Sequence, residues 1–255
     1  MTGAAVEAAL ATSRHFYRVT ITDEVDSTNA RVREWAESGE AAGAVLIAYS
    51  QRAGRGRRGR SFYSPAGTGL YMSALLRPEL APADTALITT AAAVAACRAV
   101  AASANLRLSI KWVNDLLLDG KKVGGILAEG VPAEHVVLGI GLNLCDPAGG
   151  FPEEIAQSAG SLLGAQPCDE QQREELAALF LDEIYALVTA LPDTDFMWEY
   201  RARSVVLGRT VRVLSEPPYE AVAEAIDERG ALIVRLADGR RICLSAGEVS
   251  VHLGS

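Results

Sequence analysis

The sequence predicts an α/β chain, of the α+β kind, that ends in a small all-β module. Three observations carry this expectation. Strand patterns alternate with helical ones from Asp26 to Arg203. From Gly208 onward only short alternating strands remain, with turn pairs at Arg229-Gly230 and Asp238-Gly239. A chain of 255 residues, 49% hydrophobic and 22% charged, can bury a sizeable core, which excludes a disordered protein.

The elements follow in order. Asp26, Ser27, Thr28 and Asn29 offer capping side chains ahead of a helical pattern, Val32, Trp35 and Ala36, that ends near Ser38-Gly39. Ala44 to Ser50 reads as a buried strand running straight into the segment QRAGRGRRGR, Gln51 to Arg60. Pro65, Gly67 and Gly69 then postpone regular structure until the alternating strand Leu70 to Leu76, so the arginine run is a loop. Asp84 is expected to cap a long alanine-rich helix reaching about Ser103, and a strand passes through Leu108, Ile110 and Trp112. Leu116 to Leu118, the turn Asp119-Gly120 and Val123 to Ala128 form a hairpin. His135 to Leu144 is a further strand with two glycines that permit close backbone approach. Glu170 to Leu191 and Asp195 to Arg203 are amphipathic helices.

Composition excludes several function classes. The longest apolar stretch, around Ala91 to Ala96, falls short of the roughly 20 residues of a membrane span. Met1 to Ser13 lacks the basic start and apolar run of a secretory signal, so a cytoplasmic location is expected. Cys97, Cys145, Cys168 and Cys243 never pair as C-x-x-C, and His15, His135 and His252 show no metal-ligand spacing. Cys145 reads as a core cysteine and the histidines as surface or structural residues. The net charge of −8 hides an asymmetry: Arg52, Arg55, Arg57, Arg58 and Arg60 put +5 into nine residues, leaving −13 for the rest. A cationic spot on an acidic protein suits a small anionic ligand better than a nucleic acid, which needs an extended basic face.

Of 24 basic residues only three are lysine, Lys111, Lys121 and Lys122, all within twelve residues. In so arginine-rich a chain, lysine marks places where a compact, rotatable ammonium is needed and a planar guanidinium fails. Gly54 to Gly59 spells G-x-G-x-x-G, but the segment after it, Arg60 to Pro65, leads into turns rather than the helix that a dinucleotide fingerprint requires. The G-K-[ST] ending of a phosphate-binding Walker loop is also missing. What remains is a glycine loop bearing several guanidiniums, suited to bringing two anions together and to stabilising the charge that develops as they react.

In this order and spacing, five blocks resemble the biotin protein ligases: Asp26-Ser27-Thr28-Asn29, Gln51 to Arg60, Lys111-Trp112-Val113-Asn114-Asp115, Lys122 to Leu127, and Gly139 to Asn143. The resemblance runs from about Val25 to the C-terminus. It implies a mixed sheet with helices over residues 1–203 and a small SH3-like β-barrel over residues 204–255. It implies that Ser27, Thr28, Asn29 and Gln51 hold the neutral ureido ring of biotin, and that Gly56, Arg57, Arg58, Lys122 and Gly125 meet its carboxyl and the phosphate. Lys122 and Arg57 would be the catalytic residues, and Phe62 would cover the biotin tail. Arg55, Arg60, Lys111, Asn114, Asp115 and Asn143 would face ATP, with Asp115 the ligand of its Mg²⁺.

The implied reaction makes biotinyl-5′-AMP and transfers biotin to a lysine of a biotin carboxyl carrier protein. Two departures stand out. Val113 replaces the usual proline, and no aromatic residue for adenine occurs near Ala159 to Leu162. Only about 24 residues precede the first block, too few for a winged helix-turn-helix, so a ligase that binds no DNA is expected. The rivals are a lipoate or octanoyl transferase of the same superfamily, and a catalytically silent biotin sensor or nucleic-acid regulator.

Overall fold

A computed structural model describes residues 1–80, 84, 86–131, 134–245 and 247–251. Its larger layer is a seven-stranded mixed sheet. The strands are β1 (Arg18–Val25), β2 (Ala44–Gln51), β3 (Gly69–Leu76), β4 (Ser109–Lys111), β5 (Asp115–Leu118), β6 (Lys121–Val131) and β7 (His135–Asn143), in the order β1-β2-β3-β7-β6-β5-β4. Among the described strands the one parallel pair is β1 with β2. Helix α2 (Thr28–Glu37) makes that crossover, since parallel neighbours cannot be joined by a tight turn.

Strand β2 shows how the sequence is read by both faces. Val45 and Ile47 enter the main core, whereas Ala44 and Leu46 meet Val32 of α2 on the other side. Every residue of β3 is buried, as expected of a central strand covered on both faces. Helix α3 (Ala86–Ala104) lies against α5 (Glu170–Ala190) on the main-core face, with α1 (Gly3–Ala9) packed on α5 and β1. By length and composition α3 could cross a membrane, more than its interrupted apolar run foretold, but two thirds of it is buried inside the protein. Its alanines allow close packing, and it serves as the central core helix.

Two short helices, α4 (Glu153–Ala156) and α6 (Met197–Ala202), precede a five-stranded antiparallel sheet. Its strands are β8 (Thr210–Val213), β9 (Tyr219–Ile226), β10 (Leu232–Arg235), β11 (Arg241–Leu244) and β12 (Val249–Val251), in the order β11-β10-β9-β8-β12. This sheet is the all-β module expected from Gly208 onward. Its buried Val211, Val213, Ala223, Leu232, Val234 and Val249 join the same apolar cluster as the larger sheet's residues. A module of about 50 residues has too little core of its own, and the shared cluster supplies the rest. Ile110 stitches the junction: its N–H donates to Arg203 O at 2.8 Å, and its carbonyl accepts from Val205 N–H at 2.9 Å.

Candidate active site

The polar block at residues 26–29 falls where β1 gives way to α2. Ser27 is the N-cap, its hydroxyl accepting from Ala30 N–H, and the capping geometry leaves Ser27, Thr28 and Asn29 buried at the helix start. Gln51, the last residue of β2, accepts at Oε1 from Thr28 N–H (2.9 Å) and from the Thr28 hydroxyl (3.2 Å). Its Nε2 donates to Ser64 Oγ at 2.9 Å. The result is a neutral polar pocket whose donors and acceptors are oriented before any ligand arrives.

The glycine loop closes on itself through Gly56 N–H to Arg60 O (2.7 Å) and Phe62 N–H to Gly54 O (2.8 Å). Its only helical feature is a single 3₁₀ turn, Arg57–Gly59, after which Arg60 is extended (φ −71, ψ 154). No helix opens there, so the dinucleotide fingerprint is absent despite the matching letters. Arg58 sits at φ 56, a left-handed conformation uncommon for a non-glycine residue. Arg57 reaches Asn114 Oδ1 at 3.5 Å, Arg58 reaches Leu214 O at 3.4 Å, and Arg60 pairs with Glu248 at 2.5 Å. Burial, and then the neighbouring Arg58 charge, push the Arg57 guanidinium below its ordinary value. Both effects penalise an unpartnered cation, and an arriving anion would relieve both.

The hairpin of β5 and β6 supplies the opposite wall. Asn114 donates from Nδ2 to Ile126 O at 2.8 Å, and Ile126 N–H returns a bond to Asn114 O at 3.1 Å. Lys122 Nζ meets Asp115 Oδ1 at 2.5 Å across the two strands. The Trp112–Val113 peptide is cis, and Val113 O accepts from the Tyr200 hydroxyl at 2.9 Å. Phe62 lies over Gly141 of β7, where an added Cβ would fall 2.5 Å from the ring.

These parts line one open cleft. It is lined by Ser27, Thr28, Asn29, Gln51, Arg55, Gly56, Arg57, Arg58, Arg60, Phe62, Lys111, Asn114, Asp115, Lys122 and Gly125, so every predicted site residue but one faces it. The exception is Asn143. Its Nδ2 donates to Gly160 O at 2.9 Å and its carbonyl accepts from Leu162 N–H at 3.0 Å, outside the lining. Asn143 thereby holds the 158–162 segment, which in turn bonds the backbone of Lys122 through Ser158 O and Gly160 N–H.

Several lining residues escaped the sequence. Trp112 is one, its indole donating to Gly230 O at 2.9 Å, so the cleft contains an aromatic where none was found near Ala159. Gly139, Gly141 and Glu248 are others. The G-x-G spacing in β7 hinted at the first two, whereas nothing local marks Glu248. Cys145, expected in the core, is only half-buried, with Sγ near Gly67 O, and does not line the cleft. His15 meets Tyr185 Oη at 3.1 Å on the surface, His135 lies on β7 away from the cleft, and His252 lies outside the described residues.

Residues 21–143 match the biotin/lipoate A/B protein ligase family, and residues 206–251 match the biotin protein ligase C-terminal domain. The biotin--[acetyl-CoA-carboxylase] ligase of Mycobacterium tuberculosis is 36% identical over 241 residues, covering 90% of this chain and 87% of that protein. The chain belongs to the biotin protein ligase family. A bifunctional ligase/repressor of Bacillus spizizenii is 32% identical over 88% of this chain and 71% of its own length. Among solved structures, the biotin protein ligase of Aquifex aeolicus in complex with biotin and ATP superposes with a TM-score of 0.77 at 26% identity, covering 92% of this chain and 98% of that one. As a biotin protein ligase, this chain has the mixed α/β sheet of the family and its C-terminal antiparallel sheet.

Proposed function

We propose that this protein activates biotin with MgATP and passes it to a lysine of a biotin carboxyl carrier protein. One observation carries the reading. The cleft joins a neutral polar pocket to a group of six cations, Arg55, Arg57, Arg58, Arg60, Lys111 and Lys122, in a protein whose net charge is −8. An uncharged ring with a carboxylate tail, meeting a triphosphate, needs that division of labour.

In the first step the biotin carboxylate attacks the α-phosphorus of ATP, an acyl–oxygen-to-phosphorus bond forms, and pyrophosphate leaves with the bridging oxygen's electrons. Lys122 and Arg57 are the catalytic residues in this reading. Their fixed charges offset the repulsion between carboxylate and phosphates and stabilise the charge gathering on the equatorial oxygens. In the second step a carrier lysine attacks the acyl carbon and AMP departs, its phosphate still held by the same cations. Ser27, Thr28 and Gln51 hold the ring, with Gly56, Arg58 and Gly125 along the tail. Arg55, Arg60, Lys111 and Asn114 face the nucleotide.

Asp115 offers one carboxylate, which suits a Mg²⁺ that arrives with the phosphates. Among the described residues no group of three or more His, Cys, Asp or Glu gathers to hold a resident metal ion. The unit boundary is placed near Ser204, where the chain leaves α6 for the second sheet. The test is pyrophosphate release from ATP on adding biotin, with lipoate and octanoate as controls. Equal release with lipoate would transfer the protein to the rival activity.

A further inference from the structure

A hydrogen-bonded chain runs beneath the cleft through two residues to which the five motif blocks assign no role, Glu129 of β6 and Ser73 of β3. Glu129 Oε2 accepts from Asn29 Nδ2 at 2.9 Å, and Oε1 lies 3.3 Å from both Arg55 Nη2 and Arg33 Nη2. On the other side of the same amide, the Ser73 hydroxyl donates toward Asn29 Oδ1 at 2.6 Å and sits 2.8 Å from Thr28 Oγ1. Thr28 continues to Gln51, Gln51 to Ser64, and the Ser64 hydroxyl donates to Phe62 O at 2.9 Å. The chain thus starts at Arg55, on one flank of the glycine loop, and ends at Phe62, on the other.

These partners take up most of the hydrogen-bonding capacity of Asn29. Its Nδ2 also faces Leu127 O at 3.3 Å, and its oxygen packs so tightly on Gly139 that an added Cβ there would fall 1.9 Å away. With both N–H groups and one oxygen lone pair already engaged, three of its four bonds go to protein neighbours. Glu129 is mostly buried and accepts only. Without its charge, Arg55 and Arg33 would face each other as like charges around a neutral group.

We infer that Glu129 is a positioning residue: its carboxylate fixes the Asn29 amide and the Arg55 guanidinium relative to each other, so the neutral and cationic halves of the cleft keep one geometry. The inference rests on the ligase reading above and deepens it.

Calorimetric titration of biotin, with steady-state adenylate formation on the full chain, tests both separately. If the wild-type protein does not bind biotin, the ligase reading fails whatever the variants do. Given wild-type binding, Glu129→Gln is expected to weaken biotin tenfold or more and to raise the KM for biotin and for ATP, with the urea midpoint near wild type. Ser73→Ala, which removes the opposite anchor of the same amide, should weaken biotin in the same direction. Arg33→Gln, which removes the partner outside the cleft, should stay within twofold. A purely structural role would lower the active fraction, so kcat would fall with both KM values unchanged, and that result overturns the inference. Equal losses in Arg33→Gln and Glu129→Gln overturn it too. If Glu129→Gln does not fold, Ser73→Ala decides, and failure of both to fold also overturns it.

Discussion

The indole Nε1–H of Trp112, at the cleft wall, donates to the carbonyl of Gly230 at 2.9 Å, across 118 residues of sequence. The donor sits in the Lys111–Asp115 block and the acceptor in the turn between β9 and β10, so the second sheet is bonded directly to the wall that carries Asn114 and Asp115. A chain ending at Arg203 would lose this bond, the Arg60–Glu248 pair and the shared apolar cluster together. The truncated protein is expected to lose ATP affinity or solubility along with carrier biotinylation. A soluble truncation that makes biotinyl-AMP at the full-length rate would make the second sheet a mere docking appendage. Trp112→Phe isolates the single bond and should cost about 1–2 kcal/mol in urea unfolding, because the Gly230 carbonyl is left buried without a donor.

Lys122→Ala should nearly abolish pyrophosphate release. The substitution removes an ammonium at the reacting oxygens and strands the Asp115 carboxylate inside the cleft, raising the barrier by about 3 kcal/mol or more. Lys122→Arg should also be poor, because a planar guanidinium cannot occupy the space of an ammonium held 2.5 Å from Asp115 Oδ1. Full rescue by arginine would show that bulk positive charge is enough.

Gly141→Ala would place a methyl group 2.5 Å from the Phe62 ring. The ring must move outward into the cleft, so biotin affinity should drop at least tenfold while thermal stability changes little. Combining it with Phe62→Leu should recover part of the affinity, and additive losses in the double variant would argue against this contact as the cause.

Asp182 of α5 clamps the N-terminal segment, accepting from the N–H groups of Ala11, Thr12 and Ser13 and from the Thr12 and Ser13 hydroxyls. Burial works to raise its carboxyl, but the hydrogen bonds from Ser13, Ala11 and Thr12 outweigh it and hold the group below its ordinary value of 3.8. A depressed folded value stabilises the fold fully above the unfolded value, and that contribution is lost as pH falls through the folded one. Asp182→Asn should therefore unfold at lower urea than wild type at pH 7, and the gap between the two midpoints should narrow at a pH below 3.8. An equal gap at both pH values would mean that shape, not charge, makes the clamp.

Much of the site was legible because its blocks are local. Ser27 caps α2 for reasons contained in four residues, and the turn Asp119-Gly120 fixes the hairpin that opposes Asp115 and Lys122. The edge strand β1 left a weaker mark: Val19 and Ile21 alternate with Arg18, Thr20 and Thr22, but its residues are exposed or only half-buried and its second half, Asp23 and Glu24, is charged. Strand β12 has three residues, too few for a period.

By itself the sequence determined which chemical groups the protein holds and in what local geometry: neutral hydrogen-bonding side chains at a helix start, guanidiniums on a glycine loop, and rare lysines on a hairpin. Tertiary structure decided which of those groups remain free. It placed Glu248 in a cleft that begins with Ser27, turned Asn143 away to hold a neighbouring loop, and engaged Asn29 with Glu129 and Ser73. The physical reason is that a side chain's identity fixes how many hydrogen bonds and charges it can offer. How many are already spent depends on partners brought near by packing, from strands far away in the chain.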